Sequence, residues 1–531
     1  MSKRRWAWHS WTAGLLWAAL VGACGCGSSP SLLAPSDRKP LDRKYVEYPA
    51  GTELAPLVES LTAPTAICFD AEGSLLIAEG GVDGNPARVF GYKKTGEFFQ
   101  VWPRGRRFPF GRGYEIYGPV GGMVAGHGRV YVTHRDEEGR GVITRFDYEG
   151  NCKPLVGELP ARGDHSVTDI ALARDGRLFF GVGSATNSGV VGLDNIEWLR
   201  RNRPVCDEAW TDPASAALYL NGWRFDSTNP FAGLFGGSDV SVTAPFQPFG
   251  RSLETRIPRC ATGMPNAAVF SINPEGGDLR VEAFGVRNPV GLGFNDVGRL
   301  FLTNQGMKLR GTRPVKDDPD VLLRMVSGQW YGWPDFSANL LPIQEARFQP
   351  PREMIVKSGY GELSFLIDHQ RSNLRPPTRR QENLLAAEFP ALAGAAKFDF
   401  IPSSGPLARL GEGRDVAIVA LSGDRAPFDT GGLDLIAPMG YKLVAVRLGP
   451  GLGRVEEFIR NTRQGPSSKH RDRPGDAVEL ERPIDVKFGP DGAMYILDFG
   501  RMEMYGPRQR VTPGSGRVLK LTGIAEPTTR P

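Results

Sequence analysis

The chain has few cysteines and few histidines for a protein of 531 residues, with six of each. No Cys-x-x-Cys pair and no Cys-x-x-Cys-His motif occurs, which argues against an attached haem and against a zinc knuckle. Gly431-Gly432 is not followed by a helical pattern, so it does not predict a phosphate-binding loop. Four histidines show no metal-ligand spacing: His127, His134, His369 and His470.

The sequence also lacks a clear excess of charge of one sign. The sequence carries 64 basic and 59 acidic residues, mixed along its length, for a net charge of +5. Nucleic-acid-binding proteins concentrate basic residues on one face or stripe, often with interleaved aromatic residues, and neither pattern is present. We therefore expect no nucleic-acid partner.

Long apolar runs are missing as well. The longest candidate, Thr12–Ala23, is too short to span a bilayer comfortably and follows a basic stretch at residues 3–5. This arrangement predicts a signal peptide. The segment ends in Leu-Val-Gly-Ala-Cys24, which resembles a bacterial lipobox and implies cleavage before Cys24 and lipid on its sulfur. An ordinary signal peptide cut nearby is the alternative.

Residues 24–45 are polar and contain proline, so we expect them to form a tether between the lipid and the folded protein. The prediction is a membrane-anchored lipoprotein of the cell envelope. An exported protein can form disulfides, and Cys206 and Cys260, which flank a long insertion, are the preferred pair. Cys68 lies in a predicted inner strand and can be a small buried hydrophobic residue.

Glycine and proline, in contrast, are abundant, with 67 and 43 residues, as a turn-rich β-protein requires. A sequence pattern of an apolar strand, a glycine-containing turn and a second apolar strand recurs six times, which predicts six β-hairpins. Its copies begin at Pro64, Val120, Val167, Pro289, Phe398 and Pro483. Repeats at this spacing predict an all-β fold, a six-bladed β-propeller over residues 46–525, with insertions at about 192–262 and 336–396.

The repeats also place three polar residues in similar positions. When the copies are aligned on the central apolar residue of the first strand, His165 and Arg287 fall five positions before it, and Arg482 falls four positions before it. Because first strands line the channel of a propeller, these side chains are expected to converge at one mouth of it. Arginine binds carboxylates in pairs and histidine is a ready base near neutral pH. A histidine that only packs a turn is the alternative.

Four segments carry a resemblance to a known family: Gly163-Asp164-His165, Gly285–Leu292, Asn304-Gln305-Gly306 and Gly328–Asp335. Together, over roughly Leu54 to Leu521, they resemble the soluble quinoprotein glucose/sorbosone dehydrogenases. The resemblance implies a propeller that binds pyrroloquinoline quinone (PQQ) and Ca²⁺. It implies oxidation of an aldose-type sugar at C1, with hydride passed to the quinone. Without a haem of its own, such a protein needs an external electron acceptor.

The resemblance also implies roles for individual residues. His165 would be the general base, and Arg287 with Asn288 would hold the quinone. Arg482 would pair with a quinone carboxylate. The backbone carbonyls of Gly306 and Met307 would ligate Ca²⁺, a hard ion that prefers oxygen.

Three positions depart from the family pattern. Ser422 stands where the family has a lysine, Ile484 where it often has a second arginine, and Val120 where it has a glutamine that touches sugar. These departures leave open an alternative, a catalytically degenerate propeller that binds carbohydrate or protein. A calcium-dependent lactonase is a third hypothesis, but it needs several carboxylates around one metal, and the starts of the inner strands have few. Nearby, Asp317, Asp318 and Asp320 are expected to form a solvated acidic loop.

Overall fold

The computed structural model describes residues 29–102, 115–149, 151–201, 218–232, 238–251, 256–257, 264–357, 362–372, 374–377, 384–412, 415–470 and 478–524. These residues form six antiparallel sheets whose innermost strands contact one another in a closed ring. The prediction of a six-bladed β-propeller is confirmed. Blades are numbered one to six here, in the order in which their innermost strands follow along the chain.

The innermost strands are β4 (Pro64–Phe69), β8 (Tyr117–Gly126), β12 (Val167–Leu172), β20 (Pro289–Phe294), β25 (Ala395–Phe400) and β29 (Pro483–Phe488). The second strands are β5 (Leu75–Gly80), β9 (Arg129–Arg135), β13 (Leu178–Val182), β21 (Leu300–Asn304), β26 (Val416–Leu421) and β30 (Met494–Asp498). The third strands are β6 (Ala87–Tyr92), β10 (Gly141–Asp147), β18 (Ala268–Ile272), β22 (Asp320–Arg324), β27 (Lys442–Arg447) and β33 (Gly516–Gly523). The fourth strands are β7 (Phe98–Trp102), β11 (Cys152–Leu159), β19 (Arg280–Phe284), β24 (Leu385–Phe389), β28 (Arg454–Asn461) and β3 (Thr52–Leu61).

Short elements complete the described structure. Blades six, five and three are extended by β1 (Ser31–Leu32), β2 (Val46–Glu47) and β23 (Gln329–Trp330). Separate two-stranded pairs are β14 (Leu218–Tyr219) with β17 (Arg256–Ile257), β15 (Phe225–Thr228) with β16 (Val240–Thr243), and β31 (Met502–Tyr505) with β32 (Arg508–Val511). The α-helices are α1 (Ile196–Arg201) and α2 (Arg352–Lys357). No helix among the described residues has the length and apolarity to cross a membrane.

The repeated sequence pattern folds as six hairpins, each of which joins the first and second strands of a blade. In five of them the turn glycine has a left-handed φ between 69° and 86°, a conformation that other residues adopt only with strain. These glycines are Gly73, Gly128, Gly176, Gly298 and Gly492. The turn glycines therefore fix the hairpin register that the pattern predicts.

The apolar core lies between adjacent blades rather than at the centre. Each layer contains residues of two neighbouring sheets, as where Leu76 and Val89 of blade one pack in one cluster with Val130 and Val132 of blade two. Equivalent layers fill the other five gaps. Sheets that share their faces in this way bury apolar surface on both sides.

The axis of the propeller, in contrast, contains charge. Lys397 of β25 is only 2% exposed and donates to the carbonyl oxygen of Thr65 at 2.7 Å. Its Nζ lies 3.4 Å from Asp169 Oδ1 and 3.9 Å from Asp485 Oδ2. The two carboxylates accept the backbone N–H groups of Leu292 and Ile67. This network connects innermost strands from five of the blades.

Blade six closes the ring with both ends of the chain. Strand β3, near the N-terminus, pairs antiparallel with β33, the last strand, from Thr52↔Gly523 to Leu61↔Gly516. Leu519 lies in the middle of this pairing and is fully buried. The closure therefore depends on apolar contacts within β33.

Residues 29–45 do not form the free tether that the sequence predicts. Strand β1 pairs with β3, and the Leu41 N–H donates to the Leu54 carbonyl at 2.7 Å. Leu41 is 4% exposed, so its apolar side chain stabilises the docking of this segment on the propeller.

The insertions also differ from the predicted ranges. In blade three the chain leaves the sheet between β13 and β18, and in blade four between β22 and β24. Strand β24 and the start of β25 fall inside the range 336–396, but they are regular parts of blades four and five. Their small apolar residues do not distinguish a blade strand from an insertion in the sequence.

Truncating Leu519 to alanine should weaken the closure of the ring. Removing a buried leucine side chain typically lowers the free energy of unfolding by about 2–5 kcal/mol. Ile524→Ala, three residues beyond Leu521 and 54% exposed, is the matched control and should change it by less than about 0.5 kcal/mol. Denaturant unfolding measures both; equal effects would contradict the closure described here.

Candidate functional site

His165 lies just before β12 at one end of the channel. Its Nδ1 is 3.0 Å from the carbonyl oxygen of Ser184, and since a carbonyl only accepts, Nδ1 carries the proton in the neutral ring. Nε2 has no hydrogen-bond partner among the described residues. Gly183 makes this placement possible, because an added Cβ would overlap His165 Cβ and crowd Asn288 Oδ1.

The charge state of His165 is set by burial. Burial lowers the pKa of His165 to about 3, the Asp164 carboxylate opposes this, and Arg287 and Arg310 lower the pKa further. The ring is therefore neutral at pH 7, and Nε2 presents a lone pair. A neutral imidazole with a free Nε2 has the form required of a general base.

Asp164 joins His165 to Arg287. Its Oδ2 lies 3.7 Å from His165 Nδ1 and 3.6 Å from Arg287 Nη2. The structure thus brings together the two residues that the repeat alignment places in one register. The pKa of Asp164 is held well below its usual range: burial raises it, but Arg310, His165 and Arg287 together outweigh burial.

Arg287 is fully enclosed. It is 2% exposed, donates from Nε and Nη2 to the backbone and side-chain oxygens of Asn187 at 2.9 and 3.0 Å, and reaches the Gln305 carbonyl at 3.4 Å. Its donors are thus committed to the protein. Asn288, the next residue, donates to the Gln305 side chain at 3.1 Å.

Arg310 is the centre of a buried ionic cluster. It donates to Asp164 and Asp194 at 2.6 Å each and to Asp429 at 2.9 Å. The three carboxylates come from the loop before β12, the first insertion and the loop after β26. Arg310 therefore fastens three separate loops around the channel mouth.

The carboxylates of this cluster differ in pKa. Burial raises the pKa of Asp194 to about 6 in spite of Arg310, and its buried Oδ1 has no hydrogen-bond partner within the described part of the chain. At Asp429, Arg310 and Arg425 outweigh burial and lower the pKa. Among the three carboxylates, the ionised form of Asp194 is therefore the least favoured.

A cavity of about 240 Å³ opens at the same mouth. Its wall includes Gln305, whose side chain continues the hydrogen-bonded chain from Asn288 to the carbonyl of Ala395. The charged side chains of its wall are Lys308, Asp424, Arg425, Asp429 and Arg482. Three cations and two carboxylates thus lie in its wall, and Arg287 reaches it only through the carbonyl of Gln305.

Arg482 lines this cavity but is engaged with the protein. Its Nη1 donates to the carbonyls of Ser422, Gly423 and Asp424 at 2.7, 3.1 and 3.2 Å, and its Nη2 to the Tyr441 hydroxyl at 3.2 Å. Ser422 and Ile484, the departures from the family pattern, line the same cavity. Val120 is buried in β8 at 1% exposure.

The segment of Gly306 and Met307 packs against two carboxylates. The Gly306 N–H donates to Asp320 at 3.0 Å and the Met307 N–H donates to Asp318 at 2.7 Å. Asp318 and Asp320 are 1% and 0% exposed, so the expectation of a solvated loop is wrong for both. They are buried because these amides and Lys308 stabilise them. No group of three or more His, Cys, Asp or Glu able to hold a metal occurs in the described ranges.

Three predicted residues cannot be placed. Cys24, Cys206 and Cys260 lie outside the described residues, so the lipid attachment and the disulfide stay predictions. Cys68 is buried and has no disulfide partner among the cysteines that the structure describes.

Several residues of the site are not predicted by the repeat pattern or by the family resemblance. These are Asp164, Lys308, Arg310 and Arg425. Arg310 lies 116, 119 and 146 residues from its three partners, so no local pattern connects them.

A scan of protein-family models finds none that matches this chain. A search of curated proteins also finds no match. Among solved structures, the chain is similar to the holo form of the pyranose dehydrogenase PQQ domain from Coprinopsis cinerea. The TM-score is 0.51 at 14% identity, over 91% of this chain and 98% of that chain.

A Trichoderma reesei structure of carbohydrate-active enzyme family AA12 gives a TM-score of 0.51 at 13% identity, over 90% of this chain and 98% of that chain. A gluconolactonase from Xanthomonas campestris gives 0.40 at 12% identity, over 91% and 97%. At these identities the similarity establishes the propeller fold and nothing finer.

His165 should remain neutral well below pH 6. With histidine-selective ¹⁵N labelling and assignment by His165→Asn, its ring should show a protonated Nδ1 and an unprotonated Nε2 from pH 8 to pH 5, because burial lowers its pKa to about 3. A midpoint near 6.5, the ordinary histidine value, would contradict the buried, hydrogen-bonded ring.

Removing the guanidinium of Arg310 should leave three buried carboxylates without their shared partner. Loss of one member of a buried ion pair typically costs about 3–5 kcal/mol of unfolding free energy, which we expect for Arg310→Met. Arg310→Lys should recover only part, because an ammonium lacks the planar fork.

The control for this prediction is Arg508→Met. Arg508 pairs with Glu197 at 3.1 Å, but its side chain is 72% exposed. Exposed pairs contribute roughly 0–1 kcal/mol, so its unfolding curve should stay near wild type. Equal losses for the two methionine variants would show that Arg310 does not hold the loops together.

Proposed function

We propose that this protein oxidises an aldose-type sugar with a bound PQQ and passes the electrons to an external acceptor. The observation that carries the proposal is the neutral His165 with a free Nε2, connected through Asp164 and Arg287 to a cavity whose wall holds three cations and two carboxylates. The fold, shared with a protein described as a pyranose dehydrogenase PQQ domain, supports it. A bound quinone would supply the acceptor for the substrate hydride.

In this proposal His165 Nε2 takes the proton of the sugar hydroxyl. The Nδ1–H bond to Ser184 fixes the ring orientation, and the Asp164 carboxylate, 3.7 Å from Nδ1, stabilises the imidazolium that forms. The low pKa makes His165 a weak base in the free protein. An anionic group in the cavity would raise that pKa, because negative charge favours the protonated ring.

The cavity suits an anionic cofactor. Lys308 and Arg425 reach its wall, and Arg425 has a buried Nε without a hydrogen-bond partner among the described residues. Gln305 and Asn288 would hold the cofactor on the side of His165. Arg287 would act from behind them, through its positive charge, since its donors are bound to Asn187 and Gln305.

Calcium would be held by backbone oxygens. The carboxylates nearest to Gly306 and Met307 already accept amide hydrogens, so the carbonyls of these two residues would be the protein ligands of Ca²⁺. The lipid anchor at Cys24 would place the reaction at the cell envelope, where an electron acceptor in the membrane is within reach.

The enclosure of Arg287 and Arg482 favours a second candidate function. Both guanidiniums are committed to protein acceptors, as in a propeller that binds carbohydrate or protein without turnover. This alternative needs no quinone. Titration of the purified protein with PQQ and Ca²⁺ distinguishes the two functions.

Wild-type protein loaded with PQQ and Ca²⁺ should show a bound-quinone spectrum and reduce a dye when an aldose is added. His165→Asn should retain the quinone spectrum but lose turnover by roughly 10²- to 10⁴-fold, as expected on removal of a general base. His127→Asn, at an exposed hairpin turn, is the control and should keep both.

Two outcomes would contradict the proposed function. If wild-type protein binds no PQQ at saturating Ca²⁺, the binding function replaces it. If His165→Asn binds the quinone and turns over as fast as wild type, His165 is not the base that takes the proton of the sugar hydroxyl.

A further inference from the structure

Arg425 lies in the wall of the cavity and forms no ion pair with any residue that the structure describes. It follows β26 by four residues and lines the cavity together with Ser422 and Ile484. Its Nε is buried and has no hydrogen-bond partner in the part of the chain that the structure describes. Its Nη2 reaches only the Met504 thioether, at 3.8 Å, and its Cζ lies 6.0 Å from the centre of the Phe428 ring.

The carboxylates nearby are already engaged. Asp429 accepts from Arg310 at 2.9 Å, and Asp424 accepts the N–H groups of Ala426 and Met439 at 3.2 and 3.0 Å. Neither forms an ion pair with Arg425 among the described residues, although the charge of Arg425 helps to lower the pKa of Asp429. A guanidinium offers five N–H donors. The Nε–H of Arg425 is enclosed, but its Nη1 and Nη2 groups make no hydrogen bond to an oxygen of the described residues.

Arg482 shows the contrast within the same cavity. Its guanidinium donates to three backbone carbonyls and a tyrosine hydroxyl, as a structural arginine does. The Lys308 ammonium makes one ion pair, with Asp320 at 3.0 Å, and keeps further donors. Arg425 and Lys308 are thus the two cavity cations able to bind an incoming anion.

We propose that Arg425, in the same cavity wall as Lys308, forms the carboxylate-binding subsite of the channel mouth and takes a polycarboxylate ligand. The family pattern has positively charged residues at the positions of Ser422 and Ile484. Arg425, three residues after Ser422, supplies a positive charge in their place. The identification of the ligand as PQQ rests on the proposed function. The subsite itself rests on the unpaired guanidinium.

Calorimetric titration of PQQ in the presence of Ca²⁺ tests the subsite. Arg425→Gln should weaken binding by roughly 10- to 100-fold, the loss typical of a hydrogen bond to a charged group. Arg425→Lys should recover part of the affinity, because a lysine keeps the charge but not the fork. Arg454→Gln, at a side chain that is 80% exposed in the same blade, should bind as wild type does.

The free protein provides a second readout. Arg425→Gln removes an unsatisfied buried N–H but also a charge that favours the ionised Asp429, so without ligand it should melt close to the wild-type temperature. A structural arginine would instead show a lower melting temperature. Loss of PQQ binding with a lowered melting temperature, or unchanged binding in Arg425→Gln, would overturn the proposal.

A second probe separates this proposal from the proposed function. If wild-type protein does not bind PQQ, benzene-1,3,5-tricarboxylate is titrated instead. Binding by wild type that Arg425→Gln loses and Arg454→Gln keeps would support the subsite while the quinone function fails. No binding of either probe to wild-type protein would overturn the subsite as well.

Discussion

A charge buried near the axis of this propeller needs a partner, since an isolated ion inside a protein is costly. That constraint organises the axis and the site at its mouth. Deep in the channel, Lys397 lies between Asp169 and Asp485 and joins innermost strands of different blades. At the mouth, Arg310 lies between three carboxylates and joins three loops. The apolar layers between blades stabilise the ring, and the ion pairs fix how the blades meet at the centre.

The same pairing determines what His165 can do. Because Arg310 holds Asp164 ionised, a carboxylate lies beside Nδ1, yet burial and two arginines keep the ring neutral. The result is a base that is oriented by Ser184 and poised for an additional negative charge. A cavity lined by Lys308 and Arg425 is where such a charge would bind. Fold, electrostatics and candidate chemistry thus follow from one arrangement of buried ions.

The fold could be predicted from the sequence because its signal is local and repeated. Alternating apolar residues and a glycine with left-handed φ, such as Gly73 or Gly492, define five of the six hairpins, each within fewer than about 20 residues. The alignment of His165 with Arg287 has the same origin, as both precede an innermost strand. The docking of residues 29–45 could not be predicted, since it depends on a few apolar side chains such as Leu41 in a polar segment.

The ionic cluster could not be predicted either. Asp194 and Asp429 come from an insertion and a loop whose paths the repeat does not determine, and nothing near Arg310 in the sequence marks its partners. Burial also differs from what composition suggests. Asp318 and Asp320 read as a solvated acidic loop but lie in the interior, because backbone amides and Lys308 satisfy them. Such compensation becomes visible only when the loops are placed in three dimensions.

The most direct measurement is a crystal structure of the protein with PQQ, Ca²⁺ and an unreactive sugar analogue. The account predicts quinone density in the cavity bounded by Gln305, Lys308 and Arg425, and a sugar hydroxyl within hydrogen-bond distance of His165 Nε2. Density for the quinone at another face of the propeller, or a cavity that stays empty of quinone at saturating concentrations, would contradict it.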